Sequence, residues 1–278
     1  MMAPLLKRPL RLRANATIGL VLVGFFVAAA LIGSVWTPHD PLKINILQRM
    51  KPPGAAFWLG TDEFGRDVLS RLITGARNSL LIAALTVLGA VGAGALIGLV
   101  AGYARGRIDR LLMMVNDALL AFPGILLALG LLAVLGPNKY GIVLALALAY
   151  MPSVVRVVRG SVLSVRAREF VEASRVLGNS EAYTAARHVL PNCIAPLTVL
   201  ATSMLGWVLL AEGALSFLGL GVPPPEATWG NMLSAARPFI GQAAWLAIFP
   251  GLCISLALLG VNLLGDALRD RLDPRMRQ

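Results

Sequence analysis

The sequence has 278 residues, a net charge of +11, 57% hydrophobic residues and only 14% charged residues. A soluble domain has roughly half apolar and a quarter charged residues, so this composition excludes an ordinary soluble protein and indicates an integral membrane protein. The positive charge does not indicate nucleic-acid binding, because the basic residues are scattered along the chain without interleaved aromatic residues. Membrane topology and contact with anionic lipid explain them better.

Six apolar runs along the chain predict six membrane-spanning helices. Each run is close to the roughly 20 residues that a helix needs to cross the hydrocarbon core. Inside lipid every backbone polar group needs a partner, and the alternating pattern of a barrel strand is absent from the sequence, so helices are expected. The runs cover residues 16–36, 80–103, 111–136, 141–158, 194–218 and 243–265. The predicted fold class is an all-α integral membrane protein.

The positions of lysine and arginine predict which side of the membrane each segment faces, because short cytoplasmic segments carry an excess of them. On one side the short loops hold only Lys139 and Arg237, and a longer loop over residues 37–78 can cross regardless of its charge. The other side holds Lys7, Arg8, Arg11, Arg13, Arg105, Arg107, Arg110, the six arginines from 156 to 187, Arg269, Arg271, Arg275 and Arg277. That side is predicted to be cytoplasmic, and with six spans both termini lie there.

The first apolar run follows a basic leader, which is also the pattern of a secretory signal peptide. Its apolar part is about 20 residues long, whereas the apolar part of such a signal has about 7 to 15. The sequence therefore favours an uncleaved membrane anchor.

The long external loop changes character along its length. Its first part is rich in proline and is expected to be extended. Thr61 or Asp62 can cap a helix in which the apolar residues of 68–73 share one face, with Arg66 and Arg71 around the other. This pattern is typical of an amphipathic helix on the outer membrane surface, or of a helical extension of the second span. The sequence leaves both interpretations open.

Three glycines in the second span, Gly94, Gly98 and Gly102, follow one another at four-residue spacing. Such a stripe of small residues lets the backbone of another helix approach closely, so its predicted role is helix packing. The spacing does not tell whether the partner helix belongs to this chain or to another subunit.

Two acidic residues, Asp117 and Glu212, lie inside or at the edge of apolar runs. A charge at mid-bilayer costs about 2.5 to 3.5 kcal/mol on insertion scales, so both side chains are expected to face protein or water. One interpretation is a residue of a transport pathway or its gate. The other is a structural acid that an arginine or the backbone satisfies, and both stay open.

A polar, helix-forming stretch over residues 169–192 lies between the fourth and fifth apolar runs, on the predicted cytoplasmic side. Gly178 and Asn179 are expected to break it, because glycine ends helices readily and asparagine tolerates the left-handed conformation. Ser180 can cap a second short helix. Pro191 is expected to mark a turn into the fifth span, because proline inside a helix loses a hydrogen bond.

The sequence lacks the motifs of several enzyme classes. None of its four lysines follows a glycine, so there is no phosphate-binding loop of the G-x-x-x-x-G-K-[ST] type. With only His39 and His188 it has no HExxH motif or histidine cluster for a metal, and it has no G-x-S-x-G elbow. Cys193 and Cys253 form no CxxC motif and are interpreted as free thiols. An intramembrane enzyme is therefore disfavoured, and no bound cofactor or metal is expected.

The polar stretch also contains a spaced motif. It consists of three consecutive residues, three intervening residues, a glycine, nine intervening residues and a final short run. The positions are Glu172, Ala173, Ser174, Gly178, His188, Leu190 and Pro191. This spacing resembles the EAA loop of ATP-binding cassette importer permeases, whose pattern is E-A-A, three residues, G, nine residues and I-x-L-P. Ser174 replaces the second alanine and His188 the isoleucine, and the histidine is typical of the peptide branch, in which R-H-[IV]-L-P-N is frequent.

Three longer stretches extend the resemblance over nearly the whole chain. They are LGTDEFGRDVLSRLITGARNSL, AEGALSFLGLGVPPPEATWGNML and NLLGDALRDRLDPR. All three are similar to stretches of dipeptide and oligopeptide permeases of the second, "C" type, in the family that also carries nickel. Phe57 and Trp58 depart from the His-Pro that the family commonly has before the first stretch.

The resemblance implies a type I importer permease fold with a cytoplasmic coupling helix, in a bacterial inner membrane. Such a chain pairs with a similar but distinct second permease, two cytoplasmic ATPases and an external solute-binding protein. ATP and Mg would be used by the partner ATPases and not bound by this chain. The implied cargo is a di- or oligopeptide, while glutathione and nickel chelates, which relatives with this pattern also carry, stay open.

In the resembling family, the helix that carries Glu172, Ala173 and Gly178 sits in a groove of the ATPase. Such a helix can turn ATP-driven closure into movement of the spans on either side. Gly178 would permit a sharp exit from the helix, Ala173 a close approach, and Glu172 a contact with basic or backbone donors.

Five segments are predicted along the chain. They are a cytoplasmic N-terminal segment (1–15), a first span (16–36), an external loop with its amphipathic helix (37–79), a five-helix permease core (80–265) that includes the EAA loop (160–193), and a cytoplasmic tail (266–278). A function from another class, a stand-alone channel or secondary transporter, would rest its ion coupling on Asp117 and Glu212. Dependence on a separate ATPase distinguishes the two.

Overall fold

The computed structural model describes residues 10–272 as a bundle of helices. Within these residues there is no β-strand, and the one strand-like contact is an isolated bridge between Thr61 and Asp67. The α-helices are α1 Leu10–Ile32, α2 Val68–Ala104, α3 Gly106–Leu120, α4 Gly124–Leu135, α5 Lys139–Arg166, α6 Glu169–Val176, α7 Glu181–Thr184, α8 Leu190–Phe217, α9 Trp229–Ala236 and α10 Trp245–Leu272. This confirms the all-α fold that the composition predicted.

Among the described residues, five helices are long and apolar enough to span a membrane, or six spans are present if α3 and α4 together count as one. These two helices do not form the straight third span that was predicted over residues 111–136. They meet at an angle of 91°, and residues 121–123 separate them. Pro123 lacks a backbone N–H and has an extended ψ of 126°, so α4 begins only after it. The third span is therefore corrected to a broken one.

α2 is one continuous helix of 37 residues that begins inside the predicted external loop. Asp67 caps it by accepting a hydrogen bond from the Ser70 N–H at 3.0 Å. The structure thus has the helical extension of the second span, and the predicted boundary between residues 79 and 80 falls within α2. Arg66 and Arg71 do not form an exposed polar face but are buried, 2.7 and 3.4 Å from a carboxylate oxygen of Asp62. Burial is possible because the opposite charges pair.

The glycine stripe of α2 packs against α5 of the same chain. At Gly98 an added Cβ would lie 2.8 Å from the carbonyl oxygen of Val155 and 2.9 Å from Val158 Cβ, and similar close approaches occur at Gly94 and Gly102. The contacts advance in the same direction along both helices, so α2 and α5 run parallel. The question of the partner helix, which the spacing left open, is thereby answered.

The polar segments lie at the two ends of this bundle. α6 and α7 follow α5 on the predicted cytoplasmic side, and α9 lies between α8 and α10 on the outer side. Trp229, which begins α9, is buried, donates its indole N–H to the Leu72 carbonyl at 3.1 Å and meets the Phe26 ring edge-on at 5.1 Å. The external helix is thus anchored on α1 and α2. The predicted segments 1–15 and 266–278 extend beyond the described residues.

Gly98→Leu is expected to destabilise the protein, because the added side chain must push α5 away. Overpacking of this kind costs about 1 to 3 kcal/mol. The thermal unfolding midpoint, followed by tryptophan fluorescence of the purified protein, should fall.

Gly92→Leu is the matched control, because Gly92 is exposed on the same helix and an added Cβ would meet nothing within 4 Å. It should leave the midpoint nearly unchanged. Equal midpoints for both variants would contradict the α2–α5 contact.

Candidate functional site

The predicted cytoplasmic loop consists of two short helices joined by a sharp turn. α6 ends at Val176, and Gly178 follows with a left-handed φ of 81°, a conformation that favours glycine. Ser180 caps α7 by accepting a hydrogen bond from the Tyr183 N–H at 3.2 Å. The break at Gly178 and the cap at Ser180 are therefore both confirmed.

The predicted turn at Pro191 is wrong, because the helical path continues from Glu181 to Phe217. A π-helical segment, Ala185–Val189, joins α7 to α8, and the Leu190 N–H donates to the Ala185 carbonyl five residues back. This wider turn places Pro191 within the first two residues of α8, where its missing N–H is tolerated. The Asn192 side chain also donates to the His188 carbonyl at 2.7 Å. The loop is thus directly continuous with the fifth span.

Ser174, which departs from the EAA pattern, connects the two short helices. Its hydroxyl is buried and lies 3.0 Å from the Thr184 hydroxyl, and the Asn179 amide donates to it at 3.2 Å. Alanine at this position would make neither contact. The sequence pattern marked Ser174 only as a departure and contained no signal for Thr184 as its partner.

The opposite surface of α6 and the turn is open. Glu172, Ala173 and Gly178 are all exposed, and two apolar neighbours, Val176 and Leu177, are exposed by 82% and 80%. Apolar side chains beside a carboxylate, outside the spans, are typical of a surface that a partner protein covers. We call Glu172, Ala173, Val176, Leu177 and Gly178 the α6 surface.

The remaining EAA positions lie on the far side of the turn. His188 and Leu190 are half-buried, and Pro191 is exposed. The His188 ring meets the Tyr183 ring edge-on, with 5.9 Å between centroids. The structure therefore separates the EAA residues into an exposed group around α6 and a partly packed group at the start of α8.

A second cluster anchors the loop to the ends of two spans. The Tyr103 hydroxyl, at the end of α2, donates to Glu181 of α7 and accepts from Arg175 of α6 at 3.3 Å. Arg175 Nε lies 3.3 Å from Glu181, and Arg166, at the end of α5, donates to the Tyr103 carbonyl. The hydrogen bond that Arg175 donates to the Tyr103 hydroxyl raises the pKa of Arg175 above its ordinary value. We call Tyr103, Arg166, Arg175 and Glu181 the anchor cluster.

Sequence reasoning missed the anchor cluster, because Tyr103 is more than 60 positions from the other three members and none of the four is a motif position of the EAA pattern. The two guanidinium groups also lie over the Tyr103 ring, with 5.2 Å from Arg166 and 5.6 Å from Arg175 to the ring centroid. A cavity of about 520 Å³ opens beside the cluster, lined by Arg105, Arg166, Ala167, Glu172, Arg175 and Val176. The α6 surface and the anchor cluster are therefore adjacent.

The two acids of the apolar runs have different surroundings. Asp117 on α3 lies 2.9 Å from the Arg156 guanidinium of α5, and both side chains are more than half exposed. Glu212 on α8 is buried, and its Oε1 accepts hydrogen bonds from Ser216 at 2.9 Å and Thr228 at 2.8 Å. Asp117 thus has the arginine partner of the structural interpretation, whereas Glu212 connects α8 to the N-cap of the external helix α9.

Among residues 10–272, no group of three or more His, Cys, Asp or Glu side chains is placed to hold a metal ion. Cys193 is buried and Cys253 half-buried, and both are free thiols.

The sequence model of one family, described as "Binding-protein-dependent transport system inner membrane component", matches residues 94–278. The chain belongs to this family. Such proteins are the permease components of ATP-binding cassette importers, in which the ATPase is a separate subunit. This permease is therefore a multi-pass inner-membrane protein and a non-catalytic subunit that acts with an ATPase and a binding protein.

Curated relatives match the permease over nearly its whole length. The dipeptide transport system permease protein DppC of Alkalihalophilus pseudofirmus is 41% identical over 94% of this chain and 86% of its own. The di/tripeptide transport system permease protein DppC of Pseudomonas aeruginosa is 43% identical over 93% and 88%. The glutathione transport system permease protein GsiD of Pectobacterium atrosepticum is 38% identical over 92% and 87%.

Tyr103→Phe is expected to loosen the permease loop, because it removes the hydroxyl that joins α2 to α6 and α7. One such hydrogen bond is worth about 0.5 to 1.5 kcal/mol, so the loop should open about two- to tenfold more often. Limited trypsin digestion, with cleavage in residues 166–187 read by mass spectrometry, measures this opening.

Tyr140→Phe serves as the control, since Tyr140 is exposed at the start of α5, at the other end of that span. Its cleavage rate should match the unmodified protein. An unchanged rate for Tyr103→Phe as well would show that the anchor cluster does not hold the loop.

Proposed function

We propose that this permease forms half of the translocation pathway of an ATP-driven importer for di- or oligopeptides. The other half would be a similar but distinct permease, and two ATPase subunits would bind ATP and Mg on the cytoplasmic side while this chain binds neither. An external solute-binding protein would deliver the peptide. The observation that carries the proposal is the α6 surface: an exposed acidic and apolar patch on a loop that the anchor cluster ties to the spans.

The α6 surface would be the place where an ATPase docks. Val176 and Leu177 offer the apolar contact, Glu172 offers a carboxylate for a basic side chain or backbone N–H, and Ala173 lets the partner approach closely. Gly178 turns the chain away after the helix. Of the remaining EAA positions, His188, Leu190 and Pro191 would support the join to α8 rather than touch the partner.

Movement of the docked loop would reach the spans by two rigid routes. One is the continuous helical path from α7 through the π-helical segment into α8. The other is the anchor cluster, which joins α6 and α7 to the ends of α2 and α5. A rigid link converts closure of the ATPases into displacement of the helices around the pathway.

The proposed orientation places α6, α7 and both termini in the cytoplasm. It is supported by the excess of lysine and arginine in the short segments on that side. Contact of those basic segments with anionic lipid is part of the same proposal.

The peptide cargo is proposed from the names of the relatives, two of which refer to dipeptides or tripeptides and one to glutathione. Glutathione and nickel chelates are the alternatives. Mass spectrometry of ligands retained by the partner binding protein tests the choice. Peptides are the expected result, whereas a nickel chelate without peptide would overturn it.

Glu172→Lys is expected to weaken ATPase binding, because the α6 surface would then present a positive charge where the proposal places an acid. Loss of one well-placed charge contact and its replacement by repulsion costs about 2 kcal/mol or more, so association should weaken about thirtyfold or more. Gly178→Pro should act in the same direction, because proline cannot adopt a positive φ. Co-purification of the ATPase with the tagged permease measures both.

Asp40→Lys makes the same charge change at an exposed position of the external loop. It should leave ATPase association unchanged, with thermal unfolding confirming that all variants are folded. Normal ATPase association and normal transport in Glu172→Lys would contradict the docking role. Gradient-driven uptake by the permease alone in liposomes would instead support the secondary-transporter alternative.

A further inference from the structure

The exposed faces of two adjacent, parallel spans differ in chemistry. In the inner half of α5, between residues 153 and 166, the exposed residues are Arg156, Gly160 and Ser164. At the same depth the large exposed side chains of α2 are Leu96 and Val100. The apolar face of α2 suits contact with lipid, whereas the polar face of α5 does not. We call Arg156, Gly160 and Ser164 the α5 polar stripe.

The depth of the stripe follows from the helix geometry. Arg156 lies ten residues before the end of α5, which is roughly 15 Å at 1.5 Å per residue. Arg156 also belongs to the fourth apolar run, residues 141–158, two residues before its end. A charged side chain that is 62% exposed within an apolar run is costly against lipid, so Arg156 is expected to face water or another protein.

The only charged neighbour bonded to Arg156 among the described residues is Asp117 of α3, which is itself 57% exposed. One guanidinium nitrogen donates to one carboxylate oxygen at 2.9 Å. An exposed pair of this kind contributes little stability, so its partners can be exchanged at small cost. The space around it is open, since an added Cβ at Gly160, one turn away, would meet nothing within 4 Å.

A neighbouring ion pair shows what a purely structural link between α3 and α5 looks like. Arg159 donates to both carboxylate oxygens of Asp109 at 2.6 and 2.8 Å, and these side chains are only 30% and 17% exposed. This pair is bidentate and largely enclosed, whereas the Asp117–Arg156 pair uses single atoms and faces outward. The Asp109–Arg159 pair already links α3 to α5, and the exposed Asp117–Arg156 pair adds little stability to that link.

We propose that Asp117 and Arg156 form a charge-exchange site for the two ends of a passing peptide. The terminal carboxylate of the peptide takes the place of Asp117 on Arg156, and its terminal ammonium group takes the place of Arg156 on Asp117. A zwitterion entering the inner half of the membrane loses hydration, and this exchange compensates both of its charges at once. The site rests on the proposed function, because it requires the α5 polar stripe to line a peptide pathway.

Photo-crosslinking in the complete reconstituted complex tests whether the stripe meets the cargo. Benzoylphenylalanine would be placed at position 160 in one version and, as the matched lipid-facing control, at position 96 of α2 in another. The probe is tritiated trialanine, a zwitterionic peptide with uncharged side chains, supplied on the binding protein with ATP. We expect peptide label at position 160 and lipid label at position 96.

The outcomes separate the site from the function on which it rests. No import of trialanine by the unmodified complex would overturn the peptide cargo, and with it the site. If trialanine is imported but position 160 is never labelled by peptide, the charge-exchange site is overturned and the peptide cargo is not. This holds whether the crosslink goes to lipid or stays on the partner permease throughout the cycle.

Charge removal tests whether the pair acts on the moving peptide. Arg156→Gln and Asp117→Asn should each lower the maximum rate of trialanine import about three- to tenfold, with the KM for loaded binding protein and the thermal midpoint unchanged. Arg156→Lys should retain most of the rate because it keeps the charge. Arg159→Gln, the matched change at the enclosed pair, should lower the thermal midpoint instead. An import rate at the unmodified level in Arg156→Gln, or a midpoint that falls as it does in Arg159→Gln, would overturn the proposal.

Discussion

The close contact between α2 and α5 is the constraint on which the rest of the structure depends. Lipid gives no hydrophobic drive for one span to leave it for another, so the helices associate through close van der Waals packing at Gly94, Gly98 and Gly102. Because the two helices run parallel and level, their cytoplasmic ends arrive side by side. Tyr103 and Arg166 are consequently neighbours, although 63 positions separate them in the chain.

The loop is built on that pair of helix ends. Arg175 and Glu181 reach Tyr103 from α6 and α7, and the buried contact between Ser174 and Thr184 keeps the two short helices together. The hydrogen-bonded side chains of the loop therefore contact the ends of the spans or each other, whereas the side chains of the α6 surface face outward. This division explains how a loop can be firmly attached to the membrane domain and still present an open surface to a partner.

Glu212 and Asp117 show how two acidic residues in similar apolar runs can have different surroundings. Glu212 is enclosed by hydroxyl groups and joins α8 to an external helix, which gives it a local structural task. Asp117 faces outward and pairs with Arg156 of α5, and both side chains are more than half exposed. Both looked alike as isolated carboxylates in apolar runs, and only their neighbours from other helices distinguish them.

The sequence by itself determined the all-helical membrane class, the break at Gly178 and the cap at Ser180, because apolar length, glycine conformation and capping are properties of a few adjacent residues. Its resemblance to the EAA loop also marked the stretch that carries the proposed docking surface. The tertiary structure decided the rest: the bend after Pro123, the unbroken path through Pro191 and the role of Tyr103. The role of Tyr103 depends on hydrogen bonds between distant segments. The paths at Pro123 and Pro191 depend on the backbone conformation around each proline, which the presence of a proline alone does not encode.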